Sequence, residues 1–509
     1  MKSIIGLVVL LFLFGCQGIQ KQPVPIDLEE LTIGSIHKAY QNQEYNSQQL
    51  VKAYLDRIAK LDSSVNAITY INPNALPLAK ELDEEFARTT QLRPLHGIPI
   101  IVKDNINVIG MPTTAGSKAL LNYYPKADAF IIKKLKEAGA IVLAKSNMAE
   151  WAFSPMHSES STHGTTRNPY NLAYVPAGSS GGTAASISTN MGVVGLGTDT
   201  GNSIRGPSSH CSLVGFRTTL GLISRSGIVP LMLRNDVVGP MCRSVEDATR
   251  MMEVMVGYDA TDPITEYSKG KTANNYTQYL VKNGLEGARI GVLREIMDDN
   301  IDTEIRDLFD NALKELRDLG AEVVDPIVIP NFKTLSQDQW CSTFKNDLEA
   351  FLQEYVKSDT IRTIQDIMRI GSSTEFPKQR LSRYASKTDR WGNTEIECLD
   401  AYQDTLRIAF REAIRHVMDS LKLDAIVHPT WNNRPALIDK FEEEYKGDNN
   451  QVISPHTGQP AFTVPMGFLS NNLPAGIQFL GRMYDEGTLI KLAYAYEQGT
   501  LHRKPPALD

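Results

Sequence analysis

The chain has 509 residues, 42% hydrophobic and 22% charged, an ordinary globular composition with ample length for a buried core and a pocket. The formal net charge is -7 and no lysine- and arginine-rich block stands out, so nucleic acid is not an expected partner. Five cysteines, Cys16, Cys211, Cys242, Cys341 and Cys398, are scattered without a C-x-x-C pair, which argues against a zinc site or a disulfide scaffold. Cys211 and Cys242 read as small buried hydrophobes.

In chain order, Lys2 is followed by an almost wholly apolar run over 4–14. At about 1.5 Å per residue it is too short to span a hydrocarbon core of about 30 Å, so it reads as a signal-peptide core. Leu13-Phe14-Gly15-Cys16 resembles a bacterial lipobox, in which the cysteine becomes the lipidated first residue. That resemblance implies a signal over 1–16 and a lipid anchor on Cys16. The chain would then be exported and held at a bacterial membrane. A plain secretory signal with an incidental Cys16 is the alternative. An exported location permits disulfides without showing one. Residues 17–30 read as a tether, and the globular part starts at 31.

Helical periodicity over 33–61 and 75–87 marks a first helical layer. At 97–102 the pattern becomes a short apolar run bounded by Gly and Pro, a buried strand ending at Lys103. A helix over 129–138 stops at Gly139, and a second strand over 141–144 ends at Lys145. Strand, helix, strand suggests an α/β unit. Residues 183–190 read as a small-residue helix packed on the sheet, and 193–197 as another buried strand. Later come a strand at 289–293, an amphipathic helix at 303–319 and a strand at 321–324. Residues 340–391 are charged, helical in pattern and weakly apolar, as expected of a surface layer or a cover over a site. Strands at 424–428 and 461–466 and a helix at 489–498 close the chain. The expected fold is a single α/β/α domain with a mixed central sheet flanked by helices.

Chemistry concentrates between Pro176 and Arg205. Two glycine-rich loops, Gly178-Ser179-Ser180-Gly181-Gly182 and Gly197-Thr-Asp-Thr-Gly-Asn-Ser-Ile-Arg205, each carry serines and lead into a helix start. Glycine admits close backbone approach, and helix starts present unpaired N–H groups. A serine there has a ready oxyanion hole, although Ser and Thr are also ordinary N-caps. The serines need a base. A lysine at a buried strand end loses its charge more easily than one in water, but Lys103 and Lys145 share that setting. The first loop also fits G-x-S-x-G with Ser180 central, the nucleophile elbow of α/β-hydrolases, which needs a downstream histidine. Of those present, only His456 sits in a loop suited to the task. The polar, proline-broken 171–177 before the elbow does not suit that reading.

Lys103 in Gly-Ile-Pro-Ile-Ile-Val-Lys-Asp-Asn, the 178–182 loop and the 197–205 loop together resemble the amidase signature family. Lys103 and Ser179 are 76 residues apart, and Ser179 and Ser203 are 24 apart, as in that family. The likeness continues through 221–230 and 236–243 and returns at 424–430 and 457–482. It implies an amidase domain over 31–509, with a core region at 95–259, a variable helical cover at about 340–395 and a C-terminal return to the core at 420–500. The resemblance assigns Ser203 as nucleophile, Ser179 as a bridging serine after a cis peptide bond, and Lys103 as base. Backbone N–H groups of Thr200, Gly201, Asn202 and Ser203 would hold the oxyanion. Asp199, Arg205 and Ser180 would support the loops. Asn202 stands where Gly is common in the family, a harmless change or one that narrows the acyl side of the pocket. Trp151 and Met232 are apolar residues with two readings, lining the cleft or packing in the core, and the core is the expected role.

The implied activity is hydrolysis of carboxylic amides, with no metal or organic cofactor. The substrate would be a small-molecule or short-peptide amide: residues 344–352 resemble the subgroup with peptide amidases, and fatty acid amides would suit a membrane-tethered enzyme. A homodimer is among the assemblies left open. A Ser180 esterase of α/β-hydrolase type and an inactive amide-binding lipoprotein are the competing readings.

Overall fold

The computed structural model describes residues 26–297, 300–385 and 397–508. The expected signal segment, Cys16 and the tether up to residue 25 lie outside them. The end of the expected tether, 26–30, lies against the body: Leu28 is buried and Glu30 pairs with Arg503 at 2.9 Å. Among the described residues no helix is long and apolar enough to cross a membrane.

Strands covered by helices on both faces need apolar residues at nearly every position, and this is why the sheet reads as short continuous runs. Its eleven strands are β1 (Ile68–Ile71), β2 (Pro99–Lys103), β3 (Ile141–Ser146), β4 (Val194–Asp199), β5 (Val214–Arg217), β6 (Val237–Cys242), β7 (Arg289–Val292), β8 (Glu322–Val324), β9 (Ala425–Pro429), β10 (Ala461–Phe468) and β11 (Pro474–Leu480). They lie in the order β1-β3-β2-β4-β6-β5-β10-β11-β9-β7-β8. The sheet is mixed: β2 runs parallel to β3 and β4, while β6 is antiparallel to β4. Sequence reading reaches β2, β3, β4, β7, β8, β9 and β10. It misses β1, β5, β6 and β11, whose runs are short or broken by Gly and Pro.

The expected small-residue helix is Gly181–Ser188, starting two residues early, and all of it is buried. It packs so closely that a Cβ on Gly182 would collide with the Asn147 carbonyl, and one on Gly195 of β4 would meet Thr183 and Ile187. Small residues here bring the serine loop down onto the strand ends.

The expected cover forms the helices Phe344–Phe351, Ile364–Ile370 and Glu375–Ala385. Phe344, Leu348, Ile364, Ile367 and Leu381 make its own apolar cluster with Trp151 and Phe153 of the core region. The cysteines differ from expectation. Cys341 and Cys398 form a disulfide with Cα atoms 5.7 Å apart, whereas Cys211 and Cys242 are buried and free as expected. Spacing along the chain cannot reveal a pair 57 residues apart. Closing such a loop restrains the unfolded chain by about 4 kcal/mol on the chain-entropy account. The double variant Cys341→Ser/Cys398→Ser is expected to melt several degrees lower than the wild type and to lose sensitivity to reductant in thermal denaturation. Equal melting of the wild type with and without reductant would show that the bond does not hold the cover.

Candidate active site

The site is built where β2 and β4 end side by side. Lys103 is the last residue of β2 and is fully buried. Its Nζ donates to Ser179 Oγ at 2.7 Å, to Thr198 Oγ1 at 2.9 Å and to the Thr198 carbonyl at 3.4 Å. Burial lowers its pKa to about 7, against the opposing fields of Asp199 and Asp236. The amine is therefore largely neutral just above neutral pH. Lys145, indistinguishable from it in sequence, has a different task. Its Nζ donates to the carbonyls of Ile106 and Pro112, at 2.8 and 3.1 Å, and lies 3.3 Å from Asp104. It pins the loop after β2 and touches neither serine.

The peptide bond between Gly178 and Ser179 is cis. Only glycine fits at 178, because a Cβ would strike the carbonyls of Ser154 and His157. Ser180 is fully buried and donates to the Thr198 carbonyl at 3.2 Å. It is a tie between loop and strand, and the elbow reading falls with it. Among the described residues no histidine bonds to Ser179, Ser180 or Ser203. His456 packs edge-on against Trp340, and burial holds its ring well below the usual histidine range.

The Ser203 loop is fixed from beneath. Asp199 ends β4 and accepts from Arg205 Nε at 3.1 Å, Arg217 Nη1 at 2.9 Å and the Ile204 N–H at 3.2 Å. Burial works against its charge, but the two guanidinium groups win and hold its pKa at about 2. Arg205 reaches on to the carbonyls of Gly201, at 2.8 Å, and Asn450, at 3.0 Å. Thr200 Oγ1 donates to Asp236 at 2.5 Å. Fully occupied charges of this kind set backbone position rather than chemistry. The N–H groups of Gly201, Asn202 and Ser203 find no acceptor among the described residues. These residues line one cavity of about 320 Å³. Orphan donors at a cavity wall can receive a developing oxyanion.

One link differs from the expected relay. The Ser203 hydroxyl donates to Asn202 Oδ1 at 3.2 Å, and among the described residues no hydrogen bond joins it to Ser179. Asn202 in turn donates to the Pro155 carbonyl at 3.2 Å. The residue that departs from the family pattern is thus the resting partner of the serine.

The other cavity walls come from outside the loops. Phe153, Leu231 and Met232 line it from the core region, Trp340, Arg380, Arg383 and Tyr384 from the cover, and Tyr445 and Gln451 from the C-terminal part. Trp151 is a core residue as expected, stacked edge-on against Phe344. Met232 is buried and also lines the cavity, the alternative reading of that residue, because Asp236 accepts its backbone N–H and holds the turn there. Sequence reasoning missed Thr198, the second partner of Lys103. A single hydroxyl near the end of the strand, between Gly197 and Asp199, carries no signal of its own. It missed the cover residues because a variable layer has no motif.

The comparisons with known proteins agree with this geometry. The chain matches the Amidase family over residues 49–490. It is 34% identical over 504 residues to a probable amidase of Arabidopsis thaliana, covering 94% of this chain and 92% of that protein. It is 33% identical over 503 residues to a subunit of the Glutamyl-tRNA(Gln) amidotransferase of Thermoanaerobacter pseudethanolicus, covering 95% and 99%. Its structure matches native peptide amidase from Stenotrophomonas maltophilia with a TM-score of 0.83 at 34% identity, covering 94% of this chain and 99% of that one. With a match running through β2, both serine loops and the C-terminal strands, the chain belongs to the amidase family.

Proposed function

We propose that the chain hydrolyses carboxylic amides to an acid and an amine or ammonia through an acyl-enzyme on Ser203. The observation that carries this reading is the buried, near-neutral amine of Lys103 bonded to Ser179 Oγ at 2.7 Å. A base poised near the working pH is what general-base catalysis needs. Substrate entry turns the Ser203 hydroxyl from Asn202 to Ser179. Ser203 Oγ then attacks the amide carbon while its proton passes to Ser179 Oγ and the Ser179 proton passes to Lys103. The carbonyl electrons move onto oxygen, which the N–H groups of Gly201, Asn202 and Ser203 receive. One such donor is worth about 3–4 kcal/mol. The C–N bond breaks as the leaving nitrogen takes a proton back through Ser179. Water repeats the sequence on the acyl-serine and releases the acid.

The cavity favours short peptide amides and aryl amides. Phe153, Trp340, Tyr384 and Tyr445 line it and offer ring faces to a short peptide or aryl group. Likeness to the peptide amidase supports the same choice. The 1–16 segment supports export with a lipid anchor on Cys16, and an exported chain does not meet charged tRNA.

A fluorophosphonate is expected to label Ser203 and no other serine, and Ser203→Ala to abolish both labelling and amide hydrolysis. Labelling at Ser180 would restore the elbow reading, and a folded but unlabelled protein would mark a binder.

Lys103 must be neutral to act, so activity rises through pH about 7 and falls below it. At pH 5 kcat/KM is expected to be about 100-fold below its plateau, from two units of protonation. A profile flat from pH 8 to 5 would remove lysine as base.

Asn202→Ala takes away the resting partner of Ser203. A neutral hydrogen bond of about 0.5–1.5 kcal/mol is lost, so labelling by the fluorophosphonate should quicken by about two- to tenfold. Slower labelling would show that Asn202 orients the nucleophile instead of restraining it.

A further inference from the structure

Lys103-Asp104-Asn105 closes β2, and the proton relay uses only the first of the three. Asn105 is buried, and its side-chain amide lies between two parts of the site. Its Nδ2 donates to Thr198 Oγ1 at 3.1 Å and to the Val229 carbonyl at 3.3 Å. The Val229 oxygen can only accept, so that bond fixes which way the amide faces. Asn105 is therefore a donor to the Thr198 hydroxyl. Its Oδ1 is buried and has no partner among the described residues. A buried amide that spends both hydrogens and leaves its acceptor unmatched is held in that orientation against a local cost.

The consequence falls on Lys103. An ammonium has three hydrogens to place, whereas a neutral amine has two and offers a lone pair. Three oxygens lie in reach of Nζ: Ser179 Oγ at 2.7 Å, Thr198 Oγ1 at 2.9 Å and the Thr198 carbonyl at 3.4 Å. Asn105 shares the second, and Ser180 Oγ shares the third at 3.2 Å. Hydrogen bonds to the charged form are what keep a proton on nitrogen, and a shared acceptor holds that form less well. The charged groups nearby are committed elsewhere. Asp199 of β4 pairs with Arg205 and Arg217, Lys145 of β3 lies against Asp104, and Arg225 pairs with Asp262. Asp236, just before β6, accepts from Thr200, Leu231 and Met232. The other buried lysine has no such competitor. Asn147, two residues after Lys145, donates to the Gly164 carbonyl and to Thr166 Oγ1, and among the described residues the two side chains share no acceptor.

We propose that Asn105 is a positioning residue of the relay: by occupying the Thr198 hydroxyl it denies the Lys103 amine a full set of acceptors and keeps the amine's lone pair for Ser179. This rests on the amidase reading above, and it acts through Thr198. The backbone of Asn105 is held apart from its side chain, because the Val229 N–H donates to the Asn105 carbonyl at 2.8 Å.

The test follows, in the full chain, the acid limb of two rates: labelling of Ser203 by a fluorophosphonate and ammonia release from acetyl-Ala-Phe-amide. In Asn105→Ala the Thr198 hydroxyl is released to Lys103, the charged form gains, and the midpoint is expected to move up by about 0.5–1 pH unit. From a wild-type midpoint at about 7, the rate at pH 7 then drops by about two- to fivefold, and the deficit shrinks as pH rises. Thr198→Val removes the shared hydroxyl, so adding Asn105→Ala to it should shift the midpoint no further. Asn105→Ser should shift it in the same direction as Asn105→Ala, and it carries the comparison should the alanine variant not fold. An unmoved midpoint in a folded Asn105 variant, a loss of rate equal at every pH, or the same shift with and without the Thr198 hydroxyl would overturn the proposal. A wild type that neither takes the label nor releases ammonia would instead bring down the amidase reading, and this one with it.

Discussion

A lysine amine at the end of a strand, fully buried, is pulled two ways. Burial favours the neutral form, while the carboxylates of Asp199 and Asp236 favour the charged one. Were either acid free to face Lys103 alone, the proton would stay on nitrogen and the site would have no base. The structure engages the acids elsewhere. Asp199 is shared between Arg205 and Arg217, and Asp236 takes the hydroxyl of Thr200 and the N–H groups of Leu231 and Met232. Their fields at the lysine are blunted, and desolvation prevails. The arginines that shape the nucleophile loop thus also set the state of the base, which ties loop geometry to proton affinity.

That arrangement needs backbone brought unusually close, and small residues supply it. Gly178 lies against the carbonyls of Ser154 and His157, and Gly182 against that of Asn147. The buried helix Gly181–Ser188 is built mostly of small residues, and Gly195 of β4 leaves the room that its Thr183 and Ile187 fill. Ser158 completes the seat: its hydroxyl accepts the Gly181 N–H at 2.9 Å and donates to the Ala177 carbonyl at 3.1 Å. A substitution that adds volume here moves the Ser179 hydroxyl relative to Lys103, so its cost appears in catalysis as well as in folding.

What the sequence makes legible follows the same physics. Lys103 and the two serine loops are readable because glycines and a charged residue after an apolar run are rare enough to form a pattern. The spacing of Lys103, Ser179 and Ser203 then selects one family. The choice between Lys103 and Lys145 is not readable, since both end buried strands and only the neighbours differ: Lys103 reaches the Ser179 hydroxyl, while Lys145 is held by carbonyls, the Thr113 hydroxyl and Asp104. The turn of the Ser203 hydroxyl toward Asn202 is a single side-chain rotation, below the reach of any pattern. The cavity walls of the cover escape for another reason. Arg380 and Tyr384 look like ordinary surface helix residues until the fold lays that face over Ser203.

The cover and the oxyanion loop are not independent parts. Arg407 donates to Asn235 Oδ1 at 2.5 Å, and Asn235 donates to the Thr200 carbonyl at 3.4 Å. Arg234, next in the chain, bonds the carbonyls of Gln339 and Leu399, on either side of the cover's disulfide. Trp340 sits between those anchors, and its ring comes within van der Waals reach of a Cβ placed on Gly201. A shift of the cover is therefore felt at the backbone N–H groups after Thr200, through two arginines and an asparagine. The cover is a layer without a motif, yet that layer is bolted to the part that carries the motifs. The disulfide belongs to this logic: it holds the segment that lays Trp340 over Gly201.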